Sequence, residues 1–214
     1  MKPRITDEYK SYLKDLLNRA LEVLSNRDVE REEIIKISRE IIRCSGKTIT
    51  LIVAGDVESG LRVIRSCRDL VDRLLEIYRR EPDLVRGGIA LQSLVEFCEA
   101  TTLIRSVVDI EIDCPSDIIP EALILGVLDM TGELRRIAVR LLGEWDLERS
   151  RDIIDLMKEI YDTLSHIDLP DAIAPGYRHK IDVLRRNIED LETLYSDIKT
   201  RRDLIDSVKR TDNT

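Results

Sequence analysis

Apolar residues recur at three- and four-residue intervals almost from end to end of this chain, the spacing of helices that bury one face. Tyr9, Leu13, Leu16, Leu17, Ala20, Leu21 and Leu24 step in this way behind Thr6, a side chain suited to an N-cap. The pattern resumes through Ile34, Ile35, Ser38, Ile41, Ile42, Ser45, Ile49 and Ile52. The intervening SNRDVEREE holds neither Gly nor Pro, so the spacing predicts one very long first helix ending near Gly55. Ser38, Ser45 and Gly46 on its buried stripe predict close approach by a neighbouring helix. A second helix runs from an Asp56 cap to about Arg80, and a third, opened by Pro82, to about Val108. IEIDCPSD reads as a loop, Pro120 opens a fourth helix to about Leu142, and GEWD turns the chain. A fifth helix covers Leu147 to His166, and DLPDAIAPG leads to a sixth. There Tyr177, Ile181, Leu184, Ile188, Leu191, Tyr195 and Ile198 alternate by four and three, a helix–helix seam for which subunit packing is one use. RRDLIDSVKRTDNT reads as a short frayed tail. No strand-like alternation, Gly-rich phosphate loop or fixed repeat competes. The predicted fold class is all-α, a bundle of six to seven helices in one domain over 1–214, with a core of about 6–201 and a tail of 202–214.

Composition narrows the class. With 214 residues, 43% of them hydrophobic, the chain can bury a substantial core. No apolar run reaches the roughly 18 residues of a membrane-spanning helix. MKPRITDEYK lacks the apolar stretch of a signal peptide, so the expectation is a cytoplasmic protein with no membrane partner. Cys44, Cys67, Cys98 and Cys114 match no zinc-ligand spacing and read as unlinked, mostly buried thiols of a reducing compartment. The net charge of −8, with 36% charged residues of both signs interleaved, describes a surface of solvated ion pairs. High charge beside a single glutamine is a tendency of heat-adapted proteins. An acidic total leaves nucleic-acid binding open, provided that basic residues are concentrated where the ligand sits.

Two segments break the charge pattern. GGIALQSLVEFCEATTLI, at 87–104, carries only Glu96 and Glu99, where the chain-wide frequency predicts about six charges. EALILGVLDMTGE, at 121–133, carries only Asp129 between its ends. Helical spacing places Glu96 with Glu99 on one face, and Asp129 with Glu133 on another. Ionised carboxylates turned into apolar surroundings are costly, and clustering raises the cost through repulsion. A hard divalent cation offsets both, and Mg²⁺ or Mn²⁺ bound by oxygens keeps positions open for a phosphate and a water. Gly126 and Gly132 beside Asp129 are read as leaving room for a ligand. The plain structural alternative pairs these acids with Arg105, Arg135 or Arg136. A di-iron centre would want Glu-x-x-His pairs; His166 and His179 fit none and read as surface residues.

VEFCEA at 95–100 and GVLDMTGELRR at 126–136 resemble the two signature segments of the translin superfamily, in particular those of translin-associated factor X subunits of the archaeal type. KISREIIRCSGKTI at 36–49, IYDTLSHI at 160–167 and YRHKIDVLRRNIEDLE at 177–192 extend the resemblance over about residues 10 to 200. The compact connection before Pro120 and the absence of a basic stretch ahead of the first helix resemble the archaeal form, which implies assembly from one subunit type. The resemblance implies a seven-helix fold, assembly into a hollow homo-oligomer, an octamer, and RNA as partner, with single-stranded DNA as a second nucleic acid. It implies an Mg²⁺-dependent endoribonuclease in which Glu96, Glu99, Asp129 and Glu133 are both catalytic and metal-binding, with Mn²⁺ able to substitute. Metal-held water would leave a 5′-phosphate and a 3′-hydroxyl, with Glu99 or Glu133 as general base. Arg39, Arg43, Lys47 and Arg86 are the candidate nucleic-acid-binding residues. The alternative is a non-catalytic translin-like binder of RNA or single-stranded DNA, with a purely structural bundle behind it. Phe97 and Trp145 being the only aromatics beyond tyrosine, recognition is expected to run through backbone charge and enclosure rather than base stacking.

Overall fold

The first helix, α1, runs unbroken from Asp7 to Val53, as the lack of Gly and Pro predicts. In this computed structural model, which describes residues 5–108, 110–112 and 114–212, six more helices follow and no strand occurs among those residues. Asp113 of the predicted loop, the first four residues and the last two of the predicted tail lie outside the described residues. The further helices are α2 (Val57–Arg80), α3 (Pro82–Val85), α4 (Gly88–Val107), α5 (Pro120–Gly143), α6 (Leu147–Leu164) and α7 (Tyr177–Asp212). No described helix is long and apolar enough to cross a membrane.

Capping explains most of the boundaries. The Thr6 hydroxyl accepts from the Tyr9 amide, the Asp56 carboxylate from Ser59, and the Asp146 carboxylate from Arg149. α1 stops where Gly55 takes a φ of +88°, a left-handed conformation open to glycine. The predicted third helix is corrected: it divides into α3 and α4 at Arg86–Gly87–Gly88, where Gly88 has a φ of +57°. The predicted frayed tail is corrected as well, because α7 continues helical to Asp212.

The helices stack in series. α1 lies against α2 and α4, α4 packs on α5, and α5 carries α6 and α7 on its far side. Only the second half of α1 is buried, from Ile34 through Ile52. Along its first half Tyr9, Leu13, Leu17, Leu21 and Leu24 are exposed, an apolar stripe left open among the described residues. The α7 seam does bury: Tyr177, Leu184, Ile188 and Leu191 join the core against α5 and α6, so that stripe serves intrachain packing. Cys44 of α1 and Cys67 of α2 are joined by a disulfide, with their Cα atoms 6.2 Å apart. This corrects the reading of four unlinked thiols. A separation of 23 residues in sequence carries no zinc-like spacing, yet packing α1 against α2 brings the pair face to face.

The tightest contact is between α4 and α5. A Cβ on Gly126 would lie 2.6 Å from the Cys98 Cβ, 2.7 Å from the Val95 carbonyl oxygen and 2.9 Å from the Glu99 amide nitrogen. Two of those atoms are backbone and cannot turn aside. Gly126 therefore admits the neighbouring helix and leaves no room for a ligand, contrary to the sequence reading; at Gly132 the space is open. Ser106 and Met130 add a hydroxyl–sulfur contact of 3.3 Å further along the same crossing. Gly126→Ala is expected to lower stability by about 1–3 kcal/mol through overpacking. Gly132→Ala, inside a helix with nothing to strike, should raise it by about 0.5–1 kcal/mol. Thermal melts of the two variants check the opposite signs.

Candidate functional site

The crossing at Gly126 determines where the acids meet. Glu96 and Glu99 lie on α4 three residues apart, and the Glu99 amide is itself part of the close contact. Asp129 and Glu133 follow Gly126 by one and two turns of α5, so both helices turn carboxylates toward the same region. The electrostatics show that the four converge. Glu99 has its pKa raised to about 8, first by burial, then by repulsion from Glu96, Asp129 and Glu133, with Lys180 opposing. Each of the other three has a partner. Gln92 Nε2 donates to Glu96 at 2.9 Å, and Arg136 Nη1 lies 2.9 Å from Glu133, which is only 14% exposed. The Lys180 ammonium of α7 pairs with Asp129, the two side chains being 28% and 27% exposed.

Lys180 had no role in the sequence reading. It stands three residues after Tyr177 and four before Leu184, so it belongs to the buried face of α7. A lysine in register with an apolar seam was the available clue. The first turn of α7 holds it firmly. Tyr177 is buried and its hydroxyl donates to the Leu164 carbonyl at 2.7 Å, while the Lys180 amide donates to Gly176 at 3.0 Å.

Two cavities flank the acids, and Lys180 lines both. One, of about 250 Å³, is bounded by Asp129, Gly132, His179 and Asn187. The other, of about 220 Å³, is bounded by Arg86, Gly87, Gly88, Gln92 and Val95. Among the predicted nucleic-acid-binding residues, Arg86 lines the second of these cavities with Gln92 and Lys180, its guanidinium 5.8 Å over the Tyr78 ring and 3.1 Å from the Tyr78 hydroxyl. Arg39, Arg43 and Lys47 are exposed on α1, four residues apart, and line neither cavity; Arg43 pairs with Glu40. Of the arginines near the acids in sequence, Arg136 engages the cluster and Arg135 points to Asp190, 3.8 Å away. His179 is exposed at the rim, and His166 is exposed at the end of α6.

The donor set suits a hard divalent cation: four carboxylates, no sulfur and no imidazole among the facing acids. Mutual repulsion at Glu99 is the observation that fits such an ion, because added positive charge would relieve it. Among the described residues no three His, Cys, Asp or Glu side chains are already drawn together at ligating distance. Asp129 and Glu133 are instead turned to Lys180 and Arg136, so a cation would compete with both contacts.

Residues 89–202 match the Translin family. The chain is 29% identical over 198 residues to an uncharacterised protein of Methanocaldococcus jannaschii, covering 89% of this chain and 87% of that one. It is similar in structure to AfC3PO, solved in complex with duplex RNA, with a TM-score of 0.79 and 28% identity over 87% of this chain and 97% of that one. Apo-NeC3PO shares the fold at a TM-score of 0.74 and 17% identity, over 92% of this chain and all of that one.

The raised Glu99 carboxyl makes stability depend on pH. Its folded value of about 8 lies above the ordinary 4.5, so the folded chain holds the proton more tightly than the unfolded chain. The resulting stability is complete below about pH 4.5 and is lost as pH rises through about 8, at up to about 1.4 kcal/mol per unit. In EDTA, wild type should therefore lose melting temperature between about pH 5 and about pH 9 relative to Glu99→Gln. Parallel melting curves for the two proteins would contradict the assignment.

Proposed function

This chain belongs to the translin family, and from that premise we propose that it is an RNA-binding homo-oligomer that hydrolyses RNA phosphodiester bonds with a divalent cation, Mg²⁺ or Mn²⁺. The observation that carries the reading is that Glu96, Asp129 and Glu133 from two crossing helices all act on Glu99, which burial and then their repulsion raise to about 8. AfC3PO, similar over most of both chains, was solved with duplex RNA, which supports RNA as the ligand class.

A cation held by these carboxylates supplies charge neutralisation at the phosphate and an activated water. Asp129, Glu133 and Glu96 are the groups to hold it, once turned from Lys180, Arg136 and Gln92. Glu99, raised to about 8 by burial and by the neighbouring acids, would accept the proton of the attacking water once it is ionised beside the cation. The products would be a 5′-phosphate and a 3′-hydroxyl. Arg86, at the mouth of the neighbouring cavity, is placed to hold the RNA backbone close to the acids. Arg39, Arg43 and Lys47 extend the candidate path along α1.

The assembly we propose is the hollow homo-octamer of the family type, in the cytoplasm, with the acids facing its chamber. The stripe of Tyr9, Leu17, Leu21 and Leu24, exposed among the described residues, supports contact with further copies. A second reading, a non-catalytic binder of RNA or single-stranded DNA, is favoured by one observation: Asp129 and Glu133 already have cationic partners within the chain.

End-labelled single-stranded RNA incubated with the protein and Mg²⁺ should be cleaved, and EDTA should stop the reaction. Glu99→Gln should slow cleavage by roughly 10²-fold or more while leaving RNA binding intact. Binding without cleavage by wild type would favour the second reading.

A further inference from the structure

Lys180 comes from outside both acidic segments, yet it is the cation in contact with Asp129. Its side chain is half-buried and walls both cavities, one reaching back to Gly132 and Asn187, the other forward to Arg86 and Gln92. The backbone beneath it is fixed by Tyr177, whereas the four-carbon stem and compact ammonium of lysine can redirect without moving the helix. A half-buried ammonium gains from a charge-assisted bond to an anion. At this point two anions are available to it in turn: the Asp129 carboxylate, and a phosphate entering past Arg86.

We infer that Lys180 is an exchangeable counter-ion of the acidic site. It is the partner of Asp129 until a divalent cation takes that carboxylate, and then binds a non-bridging oxygen of the RNA phosphodiester. The substrate half of this inference rests on the nuclease reading above; the exchange at Asp129 does not. Lys180 and the cation are thus rivals for Asp129 but allies toward RNA, and the site carries its own positive charge in either condition. A lysine that merely braced α7 against α5 would help both ligands or neither.

The opposed signs make the test. Lys180→Met keeps the stem and removes the charge. Mn²⁺ binding to the RNA-free protein, read by electron paramagnetic resonance, should tighten roughly tenfold, because a positive charge beside the cation is gone. RNA binding in saturating Mn²⁺, read before cleavage, should weaken roughly fivefold, with its salt dependence reduced by about one counter-ion. Lys180→Arg should restore the RNA affinity. Circular dichroism melts monitor folding, and Lys180→Gln replaces the methionine variant if that one does not fold. Weaker or unchanged Mn²⁺ binding in the charge-free variant overturns the inference, as does an unchanged salt dependence for RNA. Its failure is separable from failure of the nuclease reading. Wild-type cleavage with both affinities unaltered sinks only the counter-ion role. Tighter Mn²⁺ without any cleavage by wild type sinks only the nuclease.

Discussion

The contact at Gly126 is the constraint on which the rest of the structure depends. Where it occurs, α5 approaches α4 until the missing Cβ of one helix would overlap the backbone of the other. Helices held that close leave no lateral freedom, and residues one turn away are fixed relative to each other. Glu99 has its amide in the contact, and Asp129 and Glu133 follow it along α5. Separated by an ordinary helix–helix distance, the same four acids would be two independent i,i+3 and i,i+4 pairs with little influence on one another. At this crossing burial, and after it repulsion from the other three acids, lifts Glu99 to about 8.

A cluster of that kind must be neutralised, and the chain does so in three ways at once. Glu99 retains a proton, Lys180 pairs with Asp129, and Arg136 pairs with Glu133. All three are reversible. Protons leave as pH rises, and both cationic side chains are long enough to turn aside. A site neutralised only by permanent, fully buried ion pairs would be a structural feature. One neutralised by replaceable charges is suited to exchanging them for a cation and an RNA backbone, which is the physical basis for the proposed nuclease.

Much of this was legible in the sequence because helices announce themselves by period. The length of α1 followed from the absence of Gly and Pro in SNRDVEREE, and the acids stood out because GGIALQSLVEFCEATTLI is otherwise uncharged. What was hidden depended on pairing between elements. The disulfide between Cys44 and Cys67 needs α1 and α2 side by side. The role of Gly126 as a contact, rather than as space for a ligand, depends on how closely α4 approaches. The break at Gly87–Gly88 was overridden in the sequence reading by apolar periodicity on both sides. Lys180 was legible only in part: its register with Tyr177 and Leu184 placed it on the buried face, but nothing local named Asp129 as its partner.

If the four carboxylates form one cation site at the α4–α5 crossing, a bound ion must be found there. Anomalous scattering from crystals grown with Mn²⁺ tests it most directly. The expected result is a peak bounded by Glu96, Glu99, Asp129 and Glu133, with the Lys180 ammonium moved off Asp129. Well-ordered crystals with Mn²⁺ bound elsewhere, and Lys180 still paired to Asp129, would contradict it.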